Sequence, residues 1–228
     1  MTRKVLLSWS SGKDSAWTLY ILQKRDDVEV VGLLTTLNEA ADRVVMHAVR
    51  YDILRQQAES VAIPLWPVMI PSPCPNETYE QRMGEAMQRA EDEGVTHVAF
   101  GDLFLEDVRD YRIKNFEASK LKPIFPIWQK PTDQLARQMV DSGIDAWVTC
   151  VDPKQLDSAF VGRKFDHQFL EDLPDSVDPC GENGEFHTCV LNGPMYRQPI
   201  TANVGEIVER DGFFFADLIP GQARLEFG

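Results

Sequence analysis

The sequence predicts an α/β protein, with a parallel sheet flanked by helices followed by a smaller C-terminal α/β domain. Three observations carry this. From Val5 to Phe100, short apolar β-branched runs alternate with stretches of helical apolar spacing. The first strand-to-helix junction is a tight Ser/Gly turn, Ser10-Ser11-Gly12-Lys13-Asp14-Ser15. A proline cluster, Pro123, Pro126 and Pro131, then breaks the rhythm and marks a domain edge. We place the domains at residues 1–128 and 129–228.

The elements follow in order. Val5-Leu6-Leu7 is a strand running into the turn, and Ala16, Leu19, Tyr20 and Leu22 give the next segment helical spacing. Residues 28–37 are apolar and β-branched, as in a buried parallel strand. Tyr51, Leu54, Ala58 and Val61 form one face of a second helix, and residues 64–70 the next strand. Asn76 is placed to cap a third helix with Glu77 in its first turn; its stripe is Tyr79, Met83, Ala86, Met87 and Ala90, and Gly94 ends it. All these stripes read as core. Residues 95–100 form another strand, closing on Gly101-Asp102. Beyond the prolines, Thr132 caps a helix carrying Leu135 and Met139, residues 144–151 form a strand, and Phe213-Phe214-Phe215 belongs to a final one.

With 228 residues, 43% of them hydrophobic, the chain can bury a sizeable core. Its formal net charge of −13 and its lack of long basic clusters argue against a direct nucleic-acid partner. Cys74, Cys150, Cys180 and Cys189 show no CxxC pair, so a zinc ribbon or thioredoxin-like motif is not expected. The apolar run after Met1 is too short for a signal or membrane segment. A cytoplasmic protein with reduced thiols fits these features, and a homo-oligomer is compatible with them.

The Ser10–Ser15 turn has two readings. One is an ordinary capped helix start. The other is a phosphate site, because a helix N-terminus aims free N–H groups and a partial positive charge at one point. Gly12 allows close backbone approach, Lys13 supplies charge, and Ser10, Ser11 and Ser15 supply hydroxyls. Asp14 suits orienting the loop or helping to hold Mg²⁺. The GxxxxGK[ST] spacing is absent, so this is not a Walker A loop. Asp102 lies at the carboxyl end of a strand, where open α/β sheets bind ligands. Arg109 and Arg112, one turn apart on a helix, can share an anion or pair with Glu106 or Asp110. Glu182, Glu185 and His187 in the Gly181–Thr188 segment suit carboxyl chemistry or substrate recognition, or else form a solvated turn.

The Ser10–Ser15 loop resembles the SGGxDS pyrophosphatase (PP-loop) motif of the adenine nucleotide alpha-hydrolase superfamily, with Ser11 standing where that pattern has its first glycine. Gly101-Asp102 with Arg109 and Arg112, Pro126-Ile127-Trp128, and Gly184-Glu185-Phe186-His187-Thr188 resemble the diphthine–ammonia ligase family over nearly the whole chain. The resemblance implies a Rossmann-like sheet of the alpha-hydrolase type. It implies an ATP site at Ser10, Ser11, Gly12, Lys13, Asp14, Ser15, His47, Gly101 and Asp102, with Mg²⁺ at Asp14. It further implies that Lys13, Asp14, Glu182, Glu185 and His187 serve catalysis, and that Arg109, Arg112, Asn183 and Thr188 serve substrate binding. The implied reaction splits ATP to AMP and pyrophosphate, adenylates a carboxylate, and passes the acyl group to ammonia. The implied acceptor is diphthine, a modified histidine of elongation factor 2. Two rivals share parts of this pattern: an RNA-thiolating PP-loop enzyme and a non-enzymatic adenine-nucleotide sensor.

Overall fold

A computed structural model describes residues 2–39, 43–44 and 49–221, with only the backbone of residues 43–44. The first half contains β1 (Arg3–Ser8), α1 (Lys13–Gln23), β2 (Val28–Asn38), β3 (Arg43–Val44), α2 (Tyr51–Val61), β4 (Leu65–Ile70), α3 (Asn76–Asp92), β5 (His97–Ala99), α4 (Glu106–Asn115) and β6 (Lys122–Ile124). The second contains α5 (Thr132–Asp141), β7 (Asp145–Val151), α6 (His167–Asp172), β8 (Phe186–Asn192), β9 (Ala202–Arg210) and β10 (Phe213–Pro220).

Strands β4, β2, β1, β5 and β6 lie side by side in that order, all parallel, and β3 adds a short antiparallel pair at the end of β2. The chain starts at the centre, moves outward through β2 and β4, and returns to the other side for β5 and β6. The order therefore switches between β1 and β5. In such sheets the crevice at the carboxyl ends of the two central strands is the natural ligand site. The Ser10–Ser15 turn follows β1, and Gly101-Asp102 follows β5.

Alternation along the strands divides the core. Val5 and Leu7 of β1 and Leu33 of β2 point to one face, Leu6 and Leu34 to the other. The first face packs on α1 and α2 and runs on into Ala146, Val148, Cys189 and Val190 of the second sheet. That sheet is antiparallel, ordered β8-β7-β10-β9. Because α1 lies between the first sheet and β8, it is buried on several sides, including Lys13, Ser15 and Thr18. Among the described residues, no helix is long and apolar enough to cross a membrane.

The parallel α/β architecture with a smaller C-terminal region is as expected. Three local expectations are corrected. Asn76 and Thr132 are first helical residues; Pro75 and Pro131 hold the cap positions, and neither helix has a side-chain cap bond. Of the α3 stripe only Ala90 is buried. Met83, Ala86 and Met87 are partly buried against the core that includes Trp66 and Val98, while Tyr79, Met83 and Met87 also line an open cleft shared with α4. Finally, the Gly-rich segment is a turn only as far as Gly184; from Phe186 it runs into β8, the strand against α1.

Candidate active site

The loop after β1 is pinned at several backbone points. Trp9 N–H donates to the Leu34 carbonyl (2.7 Å), and the Trp9 carbonyl accepts from the Thr35 hydroxyl (2.7 Å). Ser11 has φ +72°, a left-handed conformation that glycine adopts without penalty. This is the position where the superfamily pattern has glycine, so the departure seen in the sequence falls on a strained residue. Ser10 Oγ accepts from Gly12 N–H (3.3 Å) and lies 3.2 Å from Ser15 Oγ. The turn is crowded from β8: a Cβ on Gly12 would sit 3.1 Å from the Thr188 carbonyl oxygen. Thr188 Oγ1 accepts from Lys13 N–H at 3.1 Å, so it caps α1 from the second sheet.

Lys13 does not reach into open solvent. Its side chain is 2% exposed. The ammonium donates to both oxygens of Asp14 (3.1 and 2.9 Å) and to the Cys180 carbonyl, and it stands 5.6 and 5.3 Å from the ring centres of Phe165 and Phe186. Burial opposes its charge, but Asp14, Cys180 and Asp178 outweigh this and keep its pKa above the ordinary value. Burial raises the Asp14 carboxyl, while Lys13 pulls it down. Lys13, expected to supply charge to the turn, is thus held inside the protein. It is a buried cation tying α1 to the Cys180 segment.

Glu182 is the ionisable group of that segment best placed at the crevice. Its Oε1 accepts from Leu103 N–H (2.7 Å), bridging to the loop after β5. Burial, against that hydrogen bond and with Asp14 and Asp102 nearby, pushes its carboxyl up to about 7. Glu185 turns inward instead. It is 2% exposed, and its Oε1 accepts from Asp178 N–H (2.9 Å) and Asn183 Nδ2 (3.0 Å). Both it and Asn183 thus hold their own turn. Burial, with the Lys13 charge adding and Glu185 opposing, lowers His187 to about 4, so its imidazole is neutral at physiological pH.

Opposite stands the loop after β5. A Cβ on Gly101 would lie 3.1 Å from the Asp14 backbone and Thr18 Oγ1, so glycine lets this loop meet the first turn of α1 without crowding. Asp102 and Arg112 form a two-pronged ion pair, 2.5 and 3.0 Å, and Arg112 also lies 4.3 Å from the Phe100 ring centre. Two separately proposed site residues thus meet, and Arg112 pairs with Asp102 where Glu106 or Asp110 was the alternative. Arg109 spreads over Trp128 (4.9 Å) and Phe125 (5.5 Å), and its buried Nε has no hydrogen-bond partner.

A cleft of about 710 Å³ opens beside the loop. Ser8, Trp9, Ser10, Thr35 and Thr36 form its strand-end side, Phe100 its inner wall, and Tyr79, Met83, Tyr111 and Arg112 come from α3 and α4. Its size suits a nucleotide-sized ligand. Trp9, Thr35, Thr36 and Tyr79 were missed as site residues. The strand-end rule that found Asp102 applies equally to Thr35 and Thr36 in β2. His47 lies outside the described residues. Among the described residues, no group of three or more His, Cys, Asp or Glu side chains is arranged to hold a metal. Asp14 alone suits Mg²⁺ only in the manner of phosphate sites, where one carboxylate adds to phosphate oxygens and water.

The diphthamide synthase N-terminal domain family matches residues 3–118, and the diphthamide synthase C-terminal domain family matches residues 131–216. Human diphthine–ammonia ligase is 26% identical over 229 residues, covering 91% of this chain and 85% of that protein. The zebrafish (Danio rerio) diphthine–ammonia ligase is 24% identical, covering 91% and 89%. The Schizosaccharomyces pombe diphthine–ammonia ligase is 26% identical; the match covers 90% of this chain but 37% of that longer protein. With both halves matched and a loop, a strand-end crevice and a C-terminal segment converging on the first turn of α1, the chain belongs to the diphthamide synthase family.

Proposed function

We propose that this protein is an ATP-dependent acid–ammonia ligase that cleaves ATP to AMP and pyrophosphate. The carboxylate of a diphthine-type acceptor attacks the α-phosphorus, and the bond from that phosphorus to the bridging oxygen breaks as pyrophosphate leaves. Ammonia then attacks the acyl carbon, gives up a proton, and AMP departs. Adenylation is needed because a carboxylate is a poor electrophile.

The observation that carries this reading is the junction of the β1 loop with the cleft at the strand-order switch. Residues 1–128 act as the ATP-binding unit and residues 129–228 as the unit that presents the acceptor. Ser10, Ser15 and the backbone of Ser11 and Gly12 cradle phosphate, with adenosine in the cleft. Asp14 is the carboxylate for Mg²⁺, which supplies charge neutralisation on the pyrophosphate when bound. Lys13 acts from behind, holding Asp14. Glu182, at about 7, has the basicity to take the proton from the attacking ammonia. Arg109, its guanidinium spread over Trp128 and Phe125, receives the acceptor's carboxylate.

A thiolating mechanism finds less support. Among the four free thiols, burial pushes Cys150 and Cys189 up to about 12, and Cys180 is raised too. Reduced thiols are consistent with a cytoplasmic setting. The test is product analysis with ATP, Mg²⁺, ammonium chloride and diphthine-bearing elongation factor 2. AMP, pyrophosphate and the acceptor amide are expected; ADP as the main product overturns the reaction class, and absence of turnover favours a sensor.

A further inference from the structure

Gln57 belongs to no motif and lies on the apolar side of α2, yet it is fully buried. Its carboxamide is fully engaged. Oε1 accepts from the Trp9 indole N–H (2.9 Å), while Nε2 donates to the Ser11 carbonyl (3.1 Å) and the Val190 carbonyl (2.8 Å). Val190 N–H donates to the same Ser11 carbonyl at 3.0 Å. Two donors therefore hold that carbonyl toward α2 and β8.

A trans peptide is planar, with its C=O and the following N–H pointing in opposite directions. Fixing the Ser11 carbonyl on one side turns the Gly12 N–H to the other, where it meets Ser10 Oγ. The same clamp holds Ser11 at φ +72°, which a serine does not readily keep by itself. Through Trp9 and Ser11, Gln57 grips both neighbours of Ser10. The helix carrying it is also tied to the C-terminal half by Arg50 to Asp217 and by Ser60 to the Gln198 carbonyl (2.6 Å).

We propose that Gln57 is a positioning residue of the phosphate loop: it sets the Ser11–Gly12 peptide so that the Gly12 amide faces the phosphates, and it couples that setting to β8. The inference rests on the ATP-cleaving reading above. A preorganised donor acts on charge that develops during reaction, so its loss falls on the chemical step.

The test compares Gln57→Met with wild type in steady-state AMP formation, using ATP, Mg²⁺, ammonium chloride and diphthine-bearing elongation factor 2, and in amide hydrogen exchange of the segment spanning residues 8–15. Gln57→Met is expected to lower kcat about tenfold or more while KM for ATP moves little, with faster exchange in the loop. Adding Ser11→Gly should restore a good part of kcat, since glycine holds a positive φ without a clamp. A purely packing role for Gln57 predicts no such rescue. If Gln57→Met folds poorly, Gln57→Glu, whose carboxyl is neutral when buried, keeps the acceptor for Trp9 and offers one donor in place of two, and gives the same comparison with a smaller expected loss. Wild-type kcat and loop exchange in the folded variant overturn the proposal, as does a loss that Ser11→Gly leaves unchanged. Failure of the wild type to make AMP would instead overturn the ligase reading, and the exchange data would still decide the role of Gln57.

Discussion

The ammonium of Lys13, at the first position of α1, donates to the backbone carbonyl of Cys180, a residue of the segment that leads into β8. One side chain thus fastens the Ser10–Ser15 loop to the C-terminal half while neutralising Asp14 beside it. This arrangement changes what substitution at the loop will do.

Lys13→Ala leaves a cavity between Phe165 and Phe186, a part-exposed Asp14 carboxylate without its cation, and an unpaired Cys180 carbonyl. Removing one partner of a buried pair costs about 3–5 kcal/mol, and because solvent reaches the remaining Asp14 the loss here is about 2–3 kcal/mol. Urea denaturation should show a loss of that order, together with loss of AMP formation. A variant with wild-type stability would contradict the buried geometry.

Asp14→Asn keeps the shape but only one of the two acceptors for Lys13, and it removes the charge that balances the ammonium. It should lose about 3–5 kcal/mol of stability, since the ammonium left behind is buried, and, where folded, form AMP at least about 100-fold more slowly, with ATP affinity less affected. Calorimetry and product separation check the two halves. Full turnover would remove Asp14 from the reaction.

Glu182 gives a pH signature. Its folded pKa lies near 7, above the ordinary 4.5, so the folded state binds the extra proton between those values. Stability from this group is present at low pH and is lost as pH rises through about 7. Glu182→Gln should therefore flatten the decline in melting temperature between about pH 4.5 and 7. In turnover, the wild type should gain rate as pH passes about 7, and the variant should lack that limb.

His187 works in the opposite sense. Its folded pKa of about 4 lies below the ordinary 6.5, so the unfolded chain takes up the proton first. Stability from the neutral ring is present above 6.5 and is lost as pH falls toward 4. His187→Gln should lose about 1–3 kcal/mol less than wild type between pH 7 and 4. Denaturant melts at both pH values measure this; equal acid losses would mean the ring is not held neutral.

Met83→Trp tests the cleft. Met83 borders it from the sheet-facing side of α3, so the larger ring should fill part of the 710 Å³. ATP affinity should fall about tenfold or more, with stability changed by less than about 1 kcal/mol. Unchanged affinity would place adenosine elsewhere.

The sequence by itself determined the alternation of strands and helices, the position of the Ser/Gly turn after the first strand, and the C-terminal segment that carries Glu182 and His187. These are local signals: hydrophobic period, turn residues and short motifs are written in neighbouring positions. Tertiary structure alone decided that the stripe of α3 lines a cleft, that Lys13 is buried against Phe165 and Phe186, that Asp102 takes Arg112, and that Gln57 grips Ser11. Each depends on residues far apart in the chain. A helical apolar stripe looks the same whether it only meets a sheet or also borders a crevice, and a lysine in a Ser/Gly turn looks solvated until another strand closes over it. Nothing near Gln57 in the sequence indicates that a carbonyl 46 positions earlier needs a donor. That need arises only when β8 packs against α1 and shuts water out of the loop's inner side.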